Sequence, residues 1–306
     1  MPRQVGLLRA RIEYGAIAAL AAPLRALDLE RAVRLGARLG AVAMRLDLFD
    51  RPVAMRNLEI AFPALSRSRR LAILHGAYEN WGRMLAKWMH FRSLTPDNIE
   101  RFVSYRRIEN WRRAEEISNG RGILTLTGHF GNWELLILSH SVHGNRVAVV
   151  HRPIRNPLID AGVGAVRTSF GNRVIPRKGA ARGVLRLLKQ NWMVAIPLDL
   201  DVRQGVFVDF FSLKASTSDA LARLALATGA PVLPAFMVRD GTSTHHWLEC
   251  LEPLETLRGK THEESVLLNT QRYTSIIEEM VRRHPDHWNW IHRRWKTRPP
   301  GEQRFY

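Results

Sequence analysis

Gly122-Ile123-Leu124-Thr125-Leu126-Thr127 leads into Gly128-His129-Phe130-Gly131-Asn132-Trp133-Glu134, and the two stretches together decide the fold. The first is short, apolar, partly β-branched and bounded by glycine, the pattern of a buried strand. Asn132 is a good helix N-cap, and Trp133 to Val142 continues as a mostly apolar helix. His129 therefore belongs to a tight turn at the carboxyl end of a strand. Glu134 falls in the first turn of the next helix, where the helix dipole favours a carboxylate. Open α/β sheets place their ligands in crevices outside the carboxyl ends of strands.

The texture on either side supports such a sheet. From Ile123 onward, short apolar runs alternate with helical patterns, as in βαβ units. Strands are expected at Ile123–Thr127, Val147–His151, Val174–Pro176, Met193–Pro197, Val206–Phe210, Val232–Val238 and Trp247–Leu251. Helices are expected at Trp133–Val142, Leu158–Phe170, Ala180–Gln190, Ser218–Thr228 and Glu264–Arg283. Upstream, Leu71 to Phe91 reads as a longer helix and Ser104 to Gly120 as a polar connector. The expectation is an α/β fold with a mixed, mainly parallel sheet flanked by helices. One domain would span residues 1–306, with a helical cover over 1–118 and the catalytic core over 119–306.

His129 and Glu134 suggest general-base chemistry. Imidazole titrates near neutral pH, so His129 can take a proton from an attacking hydroxyl. Glu134 would fix the tautomer and stabilise the imidazolium. No serine stands in a Gly-x-Ser-x-Gly setting, so the hydroxyl would come from the substrate. Backbone amides of the Gly128–Gly131 turn would then face the oxyanion. The plain alternative is a turn histidine bonded only to backbone.

The motif resembles the His-x-x-x-x-Asp/Glu signature of glycerolipid acyltransferases, and more specifically the late lipid A acyltransferases. Further stretches are similar to that family in the same order. They are Arg56-Asn57-Leu58 with Ala61-Phe62-Pro63, His151-Arg152-Pro153, Asn156-Pro157 and Arg177-Lys178-Gly179. Ala195-Ile196-Pro197-Leu198-Asp199, Gly205-Val206-Phe207-Val208 and Thr228 to Pro234 follow, and Trp288 to Pro299 closes the series. The resemblance implies transfer of an acyl chain from an acyl-carrier-protein thioester, or from acyl-CoA, to a hydroxyl of a phosphorylated glycolipid. It implies no cofactor and no acyl-enzyme. It also implies the inner membrane, with a peripheral or N-terminally anchored chain facing the cytoplasm. Acylation of a phosphatidylinositol mannoside is a second acceptor reading.

Other polar residues acquire roles through that resemblance. Asn132, Arg152, Asn156 and Arg167 would bind substrate near the dyad, and Arg177, Lys178 and Gly179 its phosphate or sugar. Two arginines in a proline-stiffened loop suit phosphate oxygens, and Gly179 permits close approach of a ligand at a helix start. Asp199 and Asp201 lie beyond another buried strand. Paired acids suit magnesium, but no third ligand follows at a recognisable spacing and no metal is expected; contact with His129 in competition with Glu134 is a second option, and pairing with arginine is the default.

The chain of 306 residues carries a formal charge of +18 with a pI of about 11.2, so an anionic partner is expected. An anionic membrane lipid or glycolipid and the acidic carrier protein both qualify. Nucleic acid is the reading from another class, through charge and the Trp/Arg-rich end, but no nucleic-acid module is visible and the basic residues are dispersed. Cys250 stands alone, which rules out an internal disulfide and a cysteine-based zinc site. The scattered histidines, His245, His246, His284, His287 and His292, have no zinc-ligand spacing. Two N-terminal stretches, Ala16–Ala22 and Ala32–Met44, are too short to span a bilayer. They read as amphipathic helices that either lie in a membrane interface or pack on the core.

Overall fold

A computed structural model describes residues 5–306. Four helices come first: α1 (Leu7–Ala26), α2 (Leu29–Arg45), α3 (Arg51–Ala61) and α4 (Arg67–Trp88). Asp28 caps α2 and Ser66 caps α4, each accepting a bond from the amide three residues on. Where α2 crosses α4, Gly36 and Gly82 face each other. A β-carbon at Gly82 would lie 1.9 Å from the Gly36 carbonyl oxygen, so only glycine permits this approach. The α1 helix runs through Pro23 to Ala26, further than the interrupted apolar run suggested, because a proline removes only one amide donor.

The core sheet contains β1 (Val103–Arg106), β2 (Ile123–Thr127), β3 (Val147–His151), β4 (Arg173–Pro176), β5 (Met193–Pro197), β8 (Val232–Arg239) and β9 (His246–Cys250). Its order is β1-β9-β8-β2-β5-β3-β4. All neighbours are parallel except β8 and β9. Each expected strand is present, but β6 (Val206–Phe210) leaves the sheet to form a separate antiparallel hairpin with β7 (Leu213–Thr217). The expected polar connector also carries regular structure. It holds β1, the sheet's edge, and α5 (Ile108–Ser118), so the sheet begins before residue 119. Four residues facing mixed surroundings carry too little pattern to declare an edge strand.

The crossover helices are α6 (Trp133–Val142), α7 (Pro157–Arg167), α8 (Ala180–Leu188), α9 (Ala220–Thr228) and α10 (His262–Arg283). Alternation along β2 divides the interior. Leu124 and Leu126 join a core with α4, α8, α9, α10 and the C-terminal tryptophans. Ile123 faces a second core with α5 and α6. Cys250 is buried there and behaves as a packing residue, its thiol pushed up to about 12 by burial.

Candidate active site

Parallel pairing places the two central groups. In the β2–β5 register Thr127 lies opposite Pro197. His129 and Asp199 are each two residues beyond that pair, so the chains leave the sheet side by side. Asp199 Oδ1 lies 2.9 Å from His129 Nδ1, and Asp199 Oδ2 accepts the His129 amide at 2.8 Å. A third bond comes from Trp288 Nε1, 2.9 Å from the same Oδ2. The Asp199 side chain is completely buried, while that of His129 is about one-quarter exposed at 24%.

This geometry sets the protonation states. Burial works against the Asp199 carboxylate, yet the His129 charge and three hydrogen bonds hold its pKa down at about 2. Burial likewise pushes His129 down, but the Asp199 charge and hydrogen bond outweigh it, and the imidazole ends above its ordinary value. An anionic acceptor at Nδ1 selects the tautomer protonated there and leaves the lone pair on Nε2. Trp133 packs edge-on against the ring at 5.3 Å between centroids.

Asp199 therefore takes the orienting position expected of Glu134. Glu134 makes no hydrogen bond to His129; it accepts Arg167 Nε at 2.9 Å on one oxygen, and Arg167 Nη2 on the other. Trp133 Nε1 adds a bond at 3.2 Å. Helix α6 has already begun at Glu134, so its side chain follows the helix face toward α7. Arg167 Nη1 lies 2.6 Å from His151 Nδ1, and His151 Nε2 lies 2.8 Å from Asp160 Oδ1. Glu134 reaches His129 only through its field, which raises the imidazole further.

The turn amides are also engaged. His129 N–H points to Asp199, and Gly131 N–H donates to the His287 carbonyl at 2.7 Å. Gly131 has a positive φ of 55°, and a β-carbon there would sit 1.8 Å from the Met237 carbonyl oxygen. These two amides do not face an oxyanion, contrary to the expectation from loop sequence alone.

The remaining expected positions separate into two groups. His151 lies opposite Pro176 in the β3–β4 register, so Arg152 and Arg177 leave adjacent strands together. Both are exposed, as are Lys178 and Gly179, and they form a basic rim on the edge that carries His129. Gly179 sits in the left-handed region, φ 73°, at the start of α8. Asn156 is withdrawn from this rim. Its Oδ1 caps α7, and its Nδ2 donates to Ala10 O at 3.0 Å and Glu13 Oε2 at 2.9 Å, which ties α1 to the start of α7. Asp201 is likewise structural, accepting Thr297 N and Oγ1 at 3.0 Å each. Asn132 caps α6 through Oδ1 as its position suggested.

Sequence reasoning did not single out Trp288 as a partner of Asp199. The aromatic and basic C-terminal stretch is buried, with Trp288, Trp290 and Trp295 at 1%, 1% and 0% exposure. These rings cannot stack on bases. The signal available was composition alone, which suits a core, a bilayer and a nucleic acid equally.

The chain matches, over residues 6–297, the family described as bacterial lipid A biosynthesis acyltransferase. The chain belongs to that family. Among its relatives is the lipid A biosynthesis myristoyltransferase of Escherichia coli (strain K12). It is 26% identical over 273 residues, covering 88% of this chain and 82% of the relative. The lauroyltransferase of the same organism is 28% identical over 277 residues, covering 88% and 86%. The palmitoleoyltransferase is 27% identical over 282 residues, covering 89% and 87%. A more distant likeness is the crystal structure of the 1-acyl-sn-glycerophosphate (LPA) acyltransferase PlsC from Thermotoga maritima. It has a TM-score of 0.38 and 14% identity, and covers 79% of this chain and 99% of that one. This lipid A acyltransferase family member is an enzyme of acyl transfer. Among the described residues no helix is long and apolar enough to cross a membrane.

Proposed function

We propose that the protein moves a fatty acyl chain from an acyl-carrier-protein thioester to a hydroxyl of a phosphorylated lipid A precursor. The observation that carries the chemistry is a partly exposed imidazole whose Nδ1 is held by a buried carboxylate and whose Nε2 has no protein partner among the described residues. Nε2 takes the proton of the acceptor hydroxyl as its oxygen bonds to the thioester carbonyl carbon. The carbon–sulfur bond then breaks, and the imidazolium returns the proton to the departing thiolate. Asp199 stabilises the imidazolium and holds the ring in place, and Glu134 with Arg167 stiffens the wall beside it. No acyl-enzyme forms, because the acceptor oxygen attacks directly.

The basic rim of Arg152, Arg177 and Lys178 suits the phosphates of the acceptor. Formal charge of +18 suits both the acidic carrier protein and an anionic leaflet. Helix α1 lies beside the rim and exposes Leu7, Leu8, Ile12 and Leu20, which fits peripheral attachment to the cytoplasmic face of the inner membrane.

The test is transfer of labelled acyl chain from acyl-carrier protein to purified lipid A precursor, with and without acceptor, for wild type and His129→Ala. Acceptor-dependent transfer that falls by roughly 10²–10⁴-fold in the variant is expected. Thioester consumed equally without acceptor would make the protein a hydrolase. Transfer only from acyl-CoA to a phosphatidylinositol mannoside would replace donor and acceptor while keeping the base.

A further inference from the structure

Beside the catalytic turn lies a recess of about 20 Å³ lined by Lys87, Gly131, Asn132, Arg239 and His246. That volume admits one water-sized group. It shares Val33, Arg83, Ser243 and Thr244 with a larger cleft of about 520 Å³. The cleft runs between α2, α4 and the loop joining β8 to β9, with Arg34 and Arg38 at its mouth.

The recess presents donors with too few acceptors. Lys87 is 2% exposed and lies in α4 with no carboxylate within ion-pair distance among the described residues. Its Nζ reaches the Thr244 carbonyl and lies 3.1 Å from His246 Nδ1. When protonated, Nζ has a third proton beyond these two partners, with the Phe102 ring centroid 5.3 Å away. Arg239 gives Nη2 to Asn80 Oδ1, but its Nη1 is buried without a partner. Asn132 is 2% exposed, and its Nδ2 also lacks one. The amide orientation of Asn132 is set by Oδ1, which accepts Leu135 N at 3.1 Å. The three nearby carboxylates have other partners, and Glu30, which lines the cleft, pairs with Arg34 at 3.6 Å. Glu79 pairs with Arg83 at 3.0 Å, and Asp286 accepts His287 Nδ1 at 2.9 Å and Asn80 Nδ2 at 3.2 Å.

Two buried donors without a partner, Asn132 Nδ2 and Arg239 Nη1, beside a lysine amine with no carboxylate in ion-pair distance, describe a site that favours negative charge. We propose that the cleft binds a phosphate-class oxyanion, one oxygen of which enters the recess between Asn132 Nδ2, Arg239 Nη1 and Lys87 Nζ. The remaining oxygens and any attached group occupy the wider cleft near Arg83 and the Ser243 and Thr244 segment. Burial, and then Arg239, push the Lys87 pKa down to about 7, so an anion at this place would restore the ammonium. The anion would also brace Asn132, and through it the turn that carries His129. The site is distinct from the basic rim of Arg152 and Arg177, and its occupancy can be read without acyl transfer.

Phosphate chemistry has two sources here, the headgroup of a phosphorylated glycolipid and free phosphate. Isothermal titration of the full chain would use inorganic phosphate in one arm and glucosamine 1-phosphate in the other, both against chloride at equal ionic strength. One saturable site is expected, weakened on the order of 10- to 100-fold in Lys87→Met and in Asn132→Asp. The second variant keeps the helix-cap acceptor while turning a donor into an acceptor, and it decides the matter if Lys87→Met does not fold by circular dichroism. Arg38→Gln, at the exposed mouth, should weaken binding about threefold and reduce its salt dependence. Tighter binding of the sugar phosphate assigns the site to a headgroup; equal binding assigns it to free phosphate. Binding that is indistinguishable from chloride, or that survives unchanged in a folded Asn132→Asp, overturns the proposal. Because no acyl donor is present, this outcome is separable from failure of the transfer assay.

Discussion

The two ends of the chain carry similar raw material and put it to opposite uses. Helix α1 has Leu7, Leu8, Ile12 and Leu20 among its arginines, and the last stretch has three tryptophans among its histidines and arginines. In α1, Leu8 and Leu20 are each 75% exposed, while Asn156 holds its middle by polar bonds and Leu24 packs at its end. At the other end Trp288 and Trp290 pack against each other at 4.6 Å, Phe210 fits beside Trp288 and Trp295, and Asn57 Nδ2 donates to the carbonyls of Trp290 and His292. Even Arg294 is buried, with Nη1 donating to Ser216 O at 2.8 Å and its guanidinium 5.2 Å from the Phe210 ring. One end exposes its apolar side chains. The other is core, and one of its indoles helps hold the carboxylate that orients the proposed base.

The sharpest way to break this contrast is at Asp199, where the C-terminal end meets the site. Asp199→Asn should lower the transfer rate by roughly 10³–10⁴-fold, since the amide no longer stabilises imidazolium or selects its tautomer. In the wild type, activity should rise with pH through the raised His129 pKa, because the base must be neutral. In the residual activity of Asp199→Asn that acid limb should move to lower pH, as burial remains and the opposing charge is gone; an unmoved limb would separate His129 from Asp199. Linkage follows the same groups. The depressed Asp199 pKa contributes stability above the ordinary value of 3.8 that is lost as pH falls toward about 2. The raised His129 pKa contributes below its unfolded value and is lost as pH rises through the folded one.

Next in size, Trp288→Ala should destabilise the protein by about 3–5 kcal/mol in chemical denaturation, as a buried aromatic removed from a packed core. Trp288→Phe should restore most of that stability while still lacking the bond to Asp199, so recovered stability with a depressed rate would separate packing from positioning. Glu134→Gln should cost less in rate than Asp199→Asn, about tenfold, and lower the acid limb only slightly, because Glu134 reaches the imidazole through its field. A loss equal to that of Asp199→Asn would return the orienting role to Glu134.

The smallest effect belongs to the exposed end. Leu8→Ser with Leu20→Ser should leave the melting temperature nearly unchanged and weaken binding to vesicles containing anionic lipid by about tenfold in cosedimentation. Full retention of vesicle binding would mean that this face does not meet the lipid.

Much of the catalytic half was legible because its strands are buried on both faces and its helices are capped locally. Ile123 to Thr127, Met193 to Pro197 and the cap Asn132 declare themselves within a few residues. The four-residue β1, its neighbour α5 and the hairpin partner β7 did not, since their structure depends on pairing with distant chain. The substrate-facing reading of Asn156 failed for the same reason: its bonds to Ala10 and Glu13 join residues more than 140 positions away.

By itself the sequence determined the alternation of strand and helix, the turn at His129 and the excess of positive charge. These depend on periodicity, capping and composition, which act over a few residues. Only the tertiary structure decided that Asp199 rather than Glu134 touches the imidazole, that the tryptophans face inward and the α1 leucines outward, and that Lys87 and Arg239 meet beside the turn. Each depends on the β2–β5 register or on helix packing, and residues 70 or more positions apart meet only when the sheet has closed.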